Sequence, residues 1–375
     1  MSRKTLHLRA EAAPFGTRAI ITPESAKQLI SDGYNVHIER SSIRFFSDDE
    51  YEAAGATLVP AGSWVSAPRD HLILGMKGIP MDDFPLKHVH VHAAHAYRNQ
   101  AGWDKVLNRF RRGGGLLLEL EFLVNDKGEK LLTFGTEAGA MAAALSIKTW
   151  AHQLVHPNAG PLPGISAYPS RAALLEETKR DLAAGQAVAG RLPTIILIGA
   201  HGTSGVGSAS FFADLGIPAA NMTKWGRKET SRTSEYPEVL QHDIFVNCIS
   251  IFAPVPPFLT MASLEAPDRR LSVVCDISTD SKSPNNTVQI YRDFTSDKQP
   301  TLQVPVPCGP PLSVIAVPYL PSLLPRDSSQ TAGKALYPAI TKLDVWRQHR
   351  LWRESEQMYH DKVATIPQQE PMAML

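Results

Sequence analysis

The segment Thr194-Ile-Ile-Leu-Ile-Gly-Ala-His-Gly-Thr-Ser-Gly-Val-Gly207 constrains this chain more than any other. A run of aliphatic residues, Ile195 to Ile198, stops at a glycine-spaced turn, and an apolar helical pattern follows through Val206, Phe211, Phe212 and Leu215. That is a buried parallel strand feeding a tight turn that opens a helix. Glycines there let the backbone approach a pyrophosphate, which then meets the free N–H groups of the helix start. The spacing, Gly199, Gly202, Gly205 and Gly207, departs from the usual G-x-G-x-x-G. Its place after an apolar strand still predicts a dinucleotide site, built from Gly199, Gly202, Thr203, Ser204 and Gly205.

Strands alternate with helical patterns on both sides of this segment. Thr5–Arg9, Tyr34–Glu39, His71–Gly75, His88–His92 and Leu116–Leu120 read as strands, with a helix over Gln100–Arg111. Thr22 reads as an N-cap with Pro23 at the first helical position. Glu137–Val155 is an Ala-rich helix placed to cross between domains, and Arg171–Ala184 a charged amphipathic one. Beyond the glycine turn, Met222–Trp225, Asp243–Ile249, Leu271–Cys275 and Leu312–Val317 read as strands. A last helical pattern, Asp344–Tyr359, can return to the first domain. The expected fold is α/β: two Rossmann-like domains with mainly parallel sheets flanking a cleft. Residues 1–135 plus 322–375 would form the substrate domain and 136–321 the dinucleotide domain.

With 375 residues there is length for two cores, and a net charge of +1 argues against a nucleic-acid surface or a basic membrane patch. Of the cysteines, Cys248 and Cys275 sit in strand-like runs and read as small core residues, so no disulfide framework is expected. No window has transmembrane length, and the N-terminus has no apolar signal core. A cytoplasmic protein is expected. The oligomeric state stays open, a monomer being sufficient.

Ligands of an open parallel sheet bind beyond the carboxyl ends of its strands. Lys77, His95, Tyr97, Arg98, Glu121, Asp276 and Asp280 fall there, and Arg18 precedes the Thr22 cap. Lysine and histidine can shuttle protons, and arginine grips carboxylates through two bonds. That set suits a charged amino- or keto-acid substrate. The run His88-Val-His-Val-His92 places three imidazoles on one strand face, but no Cys or acidic cluster accompanies it. It is read as a strand with its histidines at a polar domain surface, and no metal is expected.

These residues sit in longer segments that are recognisable. Leu6-His-Leu-Arg-Ala-Glu11, Val59-Pro-Ala-Gly-Ser-Trp64, Ala67-Pro-Arg-Asp70, Leu120-Glu-Phe-Leu123, Lys228-Glu-Thr-Ser231, Asp243-Ile-Phe-Val-Asn-Cys248 and Leu320-Pro-Ser-Leu-Leu-Pro-Arg326 are the most specific. Through most of its length the chain resembles the fungal saccharopine dehydrogenases of the NAD-dependent, lysine-forming kind, relatives of alanine dehydrogenases. The resemblance implies two Rossmann-like domains, the first using both chain ends. It implies that Lys77 and His95 are the acid/base pair, and that Arg18, Arg98 and Lys130 hold substrate carboxylates beside Tyr97 and Glu121. Gly226, Arg227, Lys228, Asp280 and Leu320 would complete the nucleotide contacts.

The chain departs from that family around the site. A glutamate is expected after Lys77, where Gly78 stands; an aromatic pair at Thr136-Glu137; an Asp-His pair at Pro318-Tyr319. At the end of the second Rossmann strand an Asp is expected, and Gly226 stands there, followed by Arg227 and Lys228. An acid at that place favours NAD and repels a 2′-phosphate. Its loss predicts NADPH over NADH among NAD(P)H cofactors. The expected activity is hydride transfer at a C–N bond joining an amine to a keto or aldehyde partner, with altered specificity in secondary metabolism. The alternatives are a true lysine-forming saccharopine dehydrogenase and a non-catalytic NAD(P) sensor, which turnover would tell apart.

Overall fold

A computed structural model describes residues 4–12, 16–79, 82–94, 96–97, 102–232, 235–249, 255–279 and 281–366. The chain divides into two units, Met1–Thr133 with Ser328–Leu375, and Phe134–Asp327. In chain order the first unit begins with β1 (Thr5–Leu8), α1 (Pro23–Ser31), β2 (Asn35–Glu39), α2 (Asp48–Ala53), β3 (Thr57–Val59), β4 (Leu72–Lys77), β5 (Val89–Ala93), α3 (Trp103–Gly113) and β6 (Leu116–Glu119). Thr22 caps α1 in a capping box with Ser25, with Pro23 in the first turn. The strands lie in the order β3-β2-β1-β4-β5-β6, all parallel. This is the order of a doubly wound dinucleotide fold, with its reversal between β1 and β4.

His88, His90 and His92 are all buried, which corrects the expected polar surface. His90 packs edge-on between Trp64 and Phe110, with ring centroids 5.2 Å from each, and the His88 ring meets the Ala67 carbonyl at 2.9 Å. His90 is accommodated there by the edge-on contacts with these two aromatic rings.

The second unit holds α4 (Gly135–Val155), α5 (Arg171–Ala189), β7 (Ile195–Ile198), α6 (Thr203–Asp214), β8 (Met222–Trp225), α7 (Arg227–Thr230), α8 (Pro237–Leu240), β9 (Ile244–Asn247), β10 (Leu259–Thr260), β11 (Val273–Asp276), β12 (Val288–Gln289), β13 (Leu302–Val304) and β14 (Leu312–Ile315). Its main sheet runs β13-β14-β11-β9-β7-β8, parallel except for the edge strand β13. β10 and β12 form a separate pair. α4 does not bridge two domains but is the central helix of this unit, buried from Glu137 to Ala151. Its alanines and Gly139 let α6 approach closely: a Cβ on Gly139 would overlap the Ser204 carbonyl oxygen, and one on Gly207 the Thr136 carbonyl oxygen. Gly207, the extra glycine of the fingerprint run, therefore serves helix packing rather than a nucleotide. Lys148 of α4 pairs with Glu177 (2.5 Å) and Asp181 (2.6 Å) of α5.

α9 (Pro325–Ile340) and α10 (Arg350–Ala364) end the chain. The pattern over Asp344–Tyr359 is broken in the structure, since Leu343–Val345 forms a separate 3₁₀ turn. α10 packs on β6 and α3, with Trp352 fully buried and its indole N–H donating to the Ala339 carbonyl at 3.0 Å. Cys248 and Cys275 are free, and Cys275 is fully buried. Among the described residues no helix is long and apolar enough to cross a membrane.

Candidate functional site

In the first unit the candidate residues gather at the carboxyl ends of β1, β4, β5 and β6. Glu11, just beyond β1, reaches across to the end of β4. Its Oε1 accepts the Met76 amide at 2.7 Å, and its two oxygens accept the Lys77 amide at 3.1 and 3.0 Å. Arg9 pairs with Glu11 at 2.9 Å and donates to the carbonyls of Lys77 (3.1 Å) and Gly78. Gly75 makes room for this clamp: a Cβ there would sit 2.6 Å from Glu11 Oε1 and 2.7 Å from Arg9 Nε. The backbone of Lys77 is thereby held from both sides. Nothing local in the sequence marks the Arg9–Glu11 pair, because its partners lie more than sixty positions away.

Burial, and next the charge of Arg18, pull the Lys77 ammonium down to about 8, against the opposing pull of Glu121, Glu119 and Glu11. Glu119 ends β6, fully buried, and accepts the amides of Ala94 (2.8 Å) and Glu121 (3.2 Å). Burial raises its carboxyl to about 8, although those two amides and Lys77 favour the charged form. Glu119 is the residue that sequence reasoning missed. The expected strand runs through Leu120, whereas Leu120–Phe122 is a 3₁₀ turn that carries Glu121 out to partial exposure. A hydrophobic run ending in a glutamate was the available signal.

Arg18 is buried, ahead of α1, on a loop fixed by the Ala19 amide donating to Ser329 Oγ at 3.0 Å. Tyr97 packs on Phe122 and donates its hydroxyl to the Leu117 carbonyl at 3.2 Å, so its ring is tied to β6. Lys130 is exposed, on a one-bridge turn with Val124. His95 and Arg98 lie outside the described residues, as does Asp280. Lys77, Arg18, Glu119 and Glu121 are thus brought into one electrostatic set, with a lysine and a carboxyl both able to change charge near neutral pH.

In the second unit the strand order reverses at β7, between β8 and β9, and the glycine turn sits there. Gly199 has φ +84°, and a Cβ on it would overlap Ile249. A Cβ on Gly205 would overlap the Gly199 carbonyl oxygen, so the first turn of α6 backs directly onto the strand end. Gly202 is the N-cap of α6, and no side chain caps it. The first-turn amides, with Thr203 and Ser204, form a backbone cradle that fits a dinucleotide pyrophosphate.

The end of β8 corrects the expectation that no acid stands there. The space at Gly226 is taken by His201, whose ring a Cβ there would meet at 2.8 Å, and Glu229 Oε2 accepts the Gly226 amide at 2.7 Å, which brings a carboxylate to that strand end. The Gly226 and Lys228 neighbours hold this carboxyl below its ordinary range. Arg227 and Lys228 lie exposed in the same short helix α7. Leu320 is buried in a 3₁₀ turn against α4, so its side chain belongs to the core and only its backbone can meet a ligand. Asp276, fully buried, accepts Tyr291 Oη (2.6 Å), Ser278 Oγ (2.6 Å) and Asn247 Nδ2 (2.9 Å), a network that organises the loop after β11.

Residues 7–141 match the family model described as alanine dehydrogenase/PNT, N-terminal domain. The fold is similar to a solved L-alanine dehydrogenase, with a TM-score of 0.66 at 17% identity over 95% of this chain and 93% of that one. A transhydrogenase from Sinorhizobium meliloti matches with a TM-score of 0.59 at 14% identity, over 91% of this chain and 94% of that one. These likenesses and the glycine turn together define a protein of two α/β units of the Rossmann-like kind. The chain is 46% identical over 98% of its length, and 99% of the relative's, to saccharopine dehydrogenase [NAD(+), L-lysine-forming] of Neurospora crassa. The protein of the same description from Emericella nidulans is 45% identical, over 98% of this chain and the whole of that one. The chain belongs to the saccharopine dehydrogenase family.

Proposed function

We propose that the chain catalyses reversible hydride transfer at the C–N bond of saccharopine, releasing lysine and a keto acid in the oxidative direction, with NAD(H) as carrier. The observation that carries this is near-full-length identity of 46% and 45% to two lysine-forming enzymes. It favours the lysine-forming alternative over a specialised role in secondary metabolism. Bound nicotinamide would supply the hydride acceptor. The chain's own part is binding and proton movement. Arg18 holds a substrate carboxylate through its guanidinium fork. Lys77, fixed by the Arg9–Glu11 clamp, takes the proton from the secondary amine when neutral. Lys77 and His95 then pass protons while water adds to the imine and the carbinolamine C–N bond breaks. Gly199, Gly202 and Gly205 hold the pyrophosphate on the α6 amides.

NAD(H) rather than NADPH follows from Glu229, whose carboxylate at the end of β8 can accept ribose hydroxyls and repel a 2′-phosphate. The NADPH reading is favoured by Arg227 and Lys228, both exposed beside it. A change of substrate is favoured by one feature at the lysine itself: Gly78 has φ +68°, a left-handed conformation that suits glycine and not the glutamate expected there. Purified protein given saccharopine with NAD⁺ or NADP⁺ tests the proposal. Reduced nicotinamide and free lysine should appear with NAD⁺. Turnover only with other amine adducts would remove the substrate assignment, and binding without turnover would leave a sensor.

A further inference from the structure

Three histidines outside this chemistry converge on the first unit's sheet. His7 of β1 is paired in register with His37 of β2, and His71 immediately precedes β4 on the other side of β1. One ring nitrogen from each lies within 4.8 Å of the others. The ring centroids are 6.0 Å apart for His7 and His37, 5.9 Å for His7 and His71, and 5.3 Å for His37 and His71. We propose that His7, His37 and His71 form a binding site for a divalent late first-row metal ion of the zinc type.

The orientation of His7 supports this independently of proximity. Its Nε2 meets Glu39 Oε1 at 3.2 Å. Glu39 is fully buried and also accepts the amides of Trp64 (2.7 Å), Ala10 (2.8 Å) and Gly62 (3.0 Å). Nε2 is engaged by Glu39, which leaves Nδ1 as the His7 ring nitrogen placed to ligate. Nδ1 of His7 is buried without a hydrogen-bond partner, and so is Nδ1 of His71. A buried imidazole nitrogen left in that state is destabilising, and a metal ion would satisfy both at once. Carboxylate, histidine, then metal is the usual outer-shell arrangement that fixes a ligating ring.

The donor set and access fit as well. Three imidazoles with no thiolate suit zinc, cobalt, nickel or copper. A tetrahedral zinc with Zn–N near ~2.0–2.1 Å keeps its ligand nitrogens about 3.4 Å apart. The half-exposed His37 and His71 can close that gap by side-chain rotation and leave an entry path. The site is separate from the proton-transfer residues. Lys77 lies at the other end of the same strand, about 20 Å from His71 at about 3.3 Å per residue.

The test uses the full chain without a polyhistidine tag, stripped with a chelator and titrated calorimetrically with zinc chloride. One ion per chain is expected. His37→Asn and His71→Asn, both at half-exposed positions, should each weaken binding on the order of 10²-fold, while His360→Asn on the exposed face of α10 should leave it unchanged. Cobalt chloride added to the unmodified protein gives a readout that needs no variant: an intense visible absorption of four-coordinate cobalt is expected. Absence of stoichiometric zinc binding, absence of that band, or binding indifferent to both His37→Asn and His71→Asn would each overturn the proposal.

Discussion

The pH dependence of turnover is the sharpest consequence of the first unit's geometry. Lys77 is held near 8 by burial and the charge of Arg18. If its neutral form accepts the amine proton, kcat/KM in the oxidative direction should rise on the order of tenfold between about pH 7 and about pH 9, then level off. A lysine at its ordinary value would give a rise of order a hundredfold over the same interval with no plateau. Lys77→Met should abolish the limb and lower the rate on the order of 10² to 10⁴-fold. Glu119 also titrates near 8, so the two groups share the transition. Its charge favours the ammonium, and Glu119→Gln removes that charge. The sign is therefore fixed: the Lys77 limb moves to lower pH in Glu119→Gln. The assay is initial-rate formation of reduced nicotinamide in a buffer series of constant ionic strength. A limb that survives Lys77→Met, or one that vanishes in Glu119→Gln while Lys77→Met retains it, would refute the assignment.

Arg18→Lys keeps the charge but loses the paired fork, so KM for saccharopine should rise while cofactor Kd stays constant; a changed cofactor Kd would show Arg18 in a different role. NADH should bind the native protein more tightly than NADPH, and Glu229→Gln should tighten NADPH about tenfold by removing a nearby negative charge while retaining an acceptor for the Gly226 amide. Unchanged NADPH affinity by fluorescence titration would separate Glu229 from the ribose site. Gly139→Ala should lower stability by about 1–3 kcal/mol, read as a fall in Tm, because the new methyl overlaps the Ser204 carbonyl oxygen and must push α4 and α6 apart. An unaltered Tm would mean the two helices separate at no cost.

Much of the architecture is carried by short-range pattern. The apolar run Ile195–Ile198 and the glycines after it determine a buried strand and an uncapped helix start without help from the rest of the chain. The Thr22-Pro23 start of α1 and the strand that delivers Lys77 are local in the same way. Short or edge elements such as β3, β10, β12 and β13 carry too little periodicity to stand out, and their pairing depends on neighbours already in place. The site's electrostatics were decided only in three dimensions. Arg9 and Glu11 matter because the β1–β4 register sets them against a backbone 65 to 69 positions away, with Gly75 leaving the space. Glu119 is an ordinary glutamate in sequence; enclosure at the sheet's end, where its charge loses water, moves its carboxyl to about 8. His7 and His37 lie on two strands and His71 leads into a third, and no spacing rule connects them. Residue type and local period are properties of neighbouring positions, whereas burial, register and the summed field at a side chain exist only once distant strands have packed.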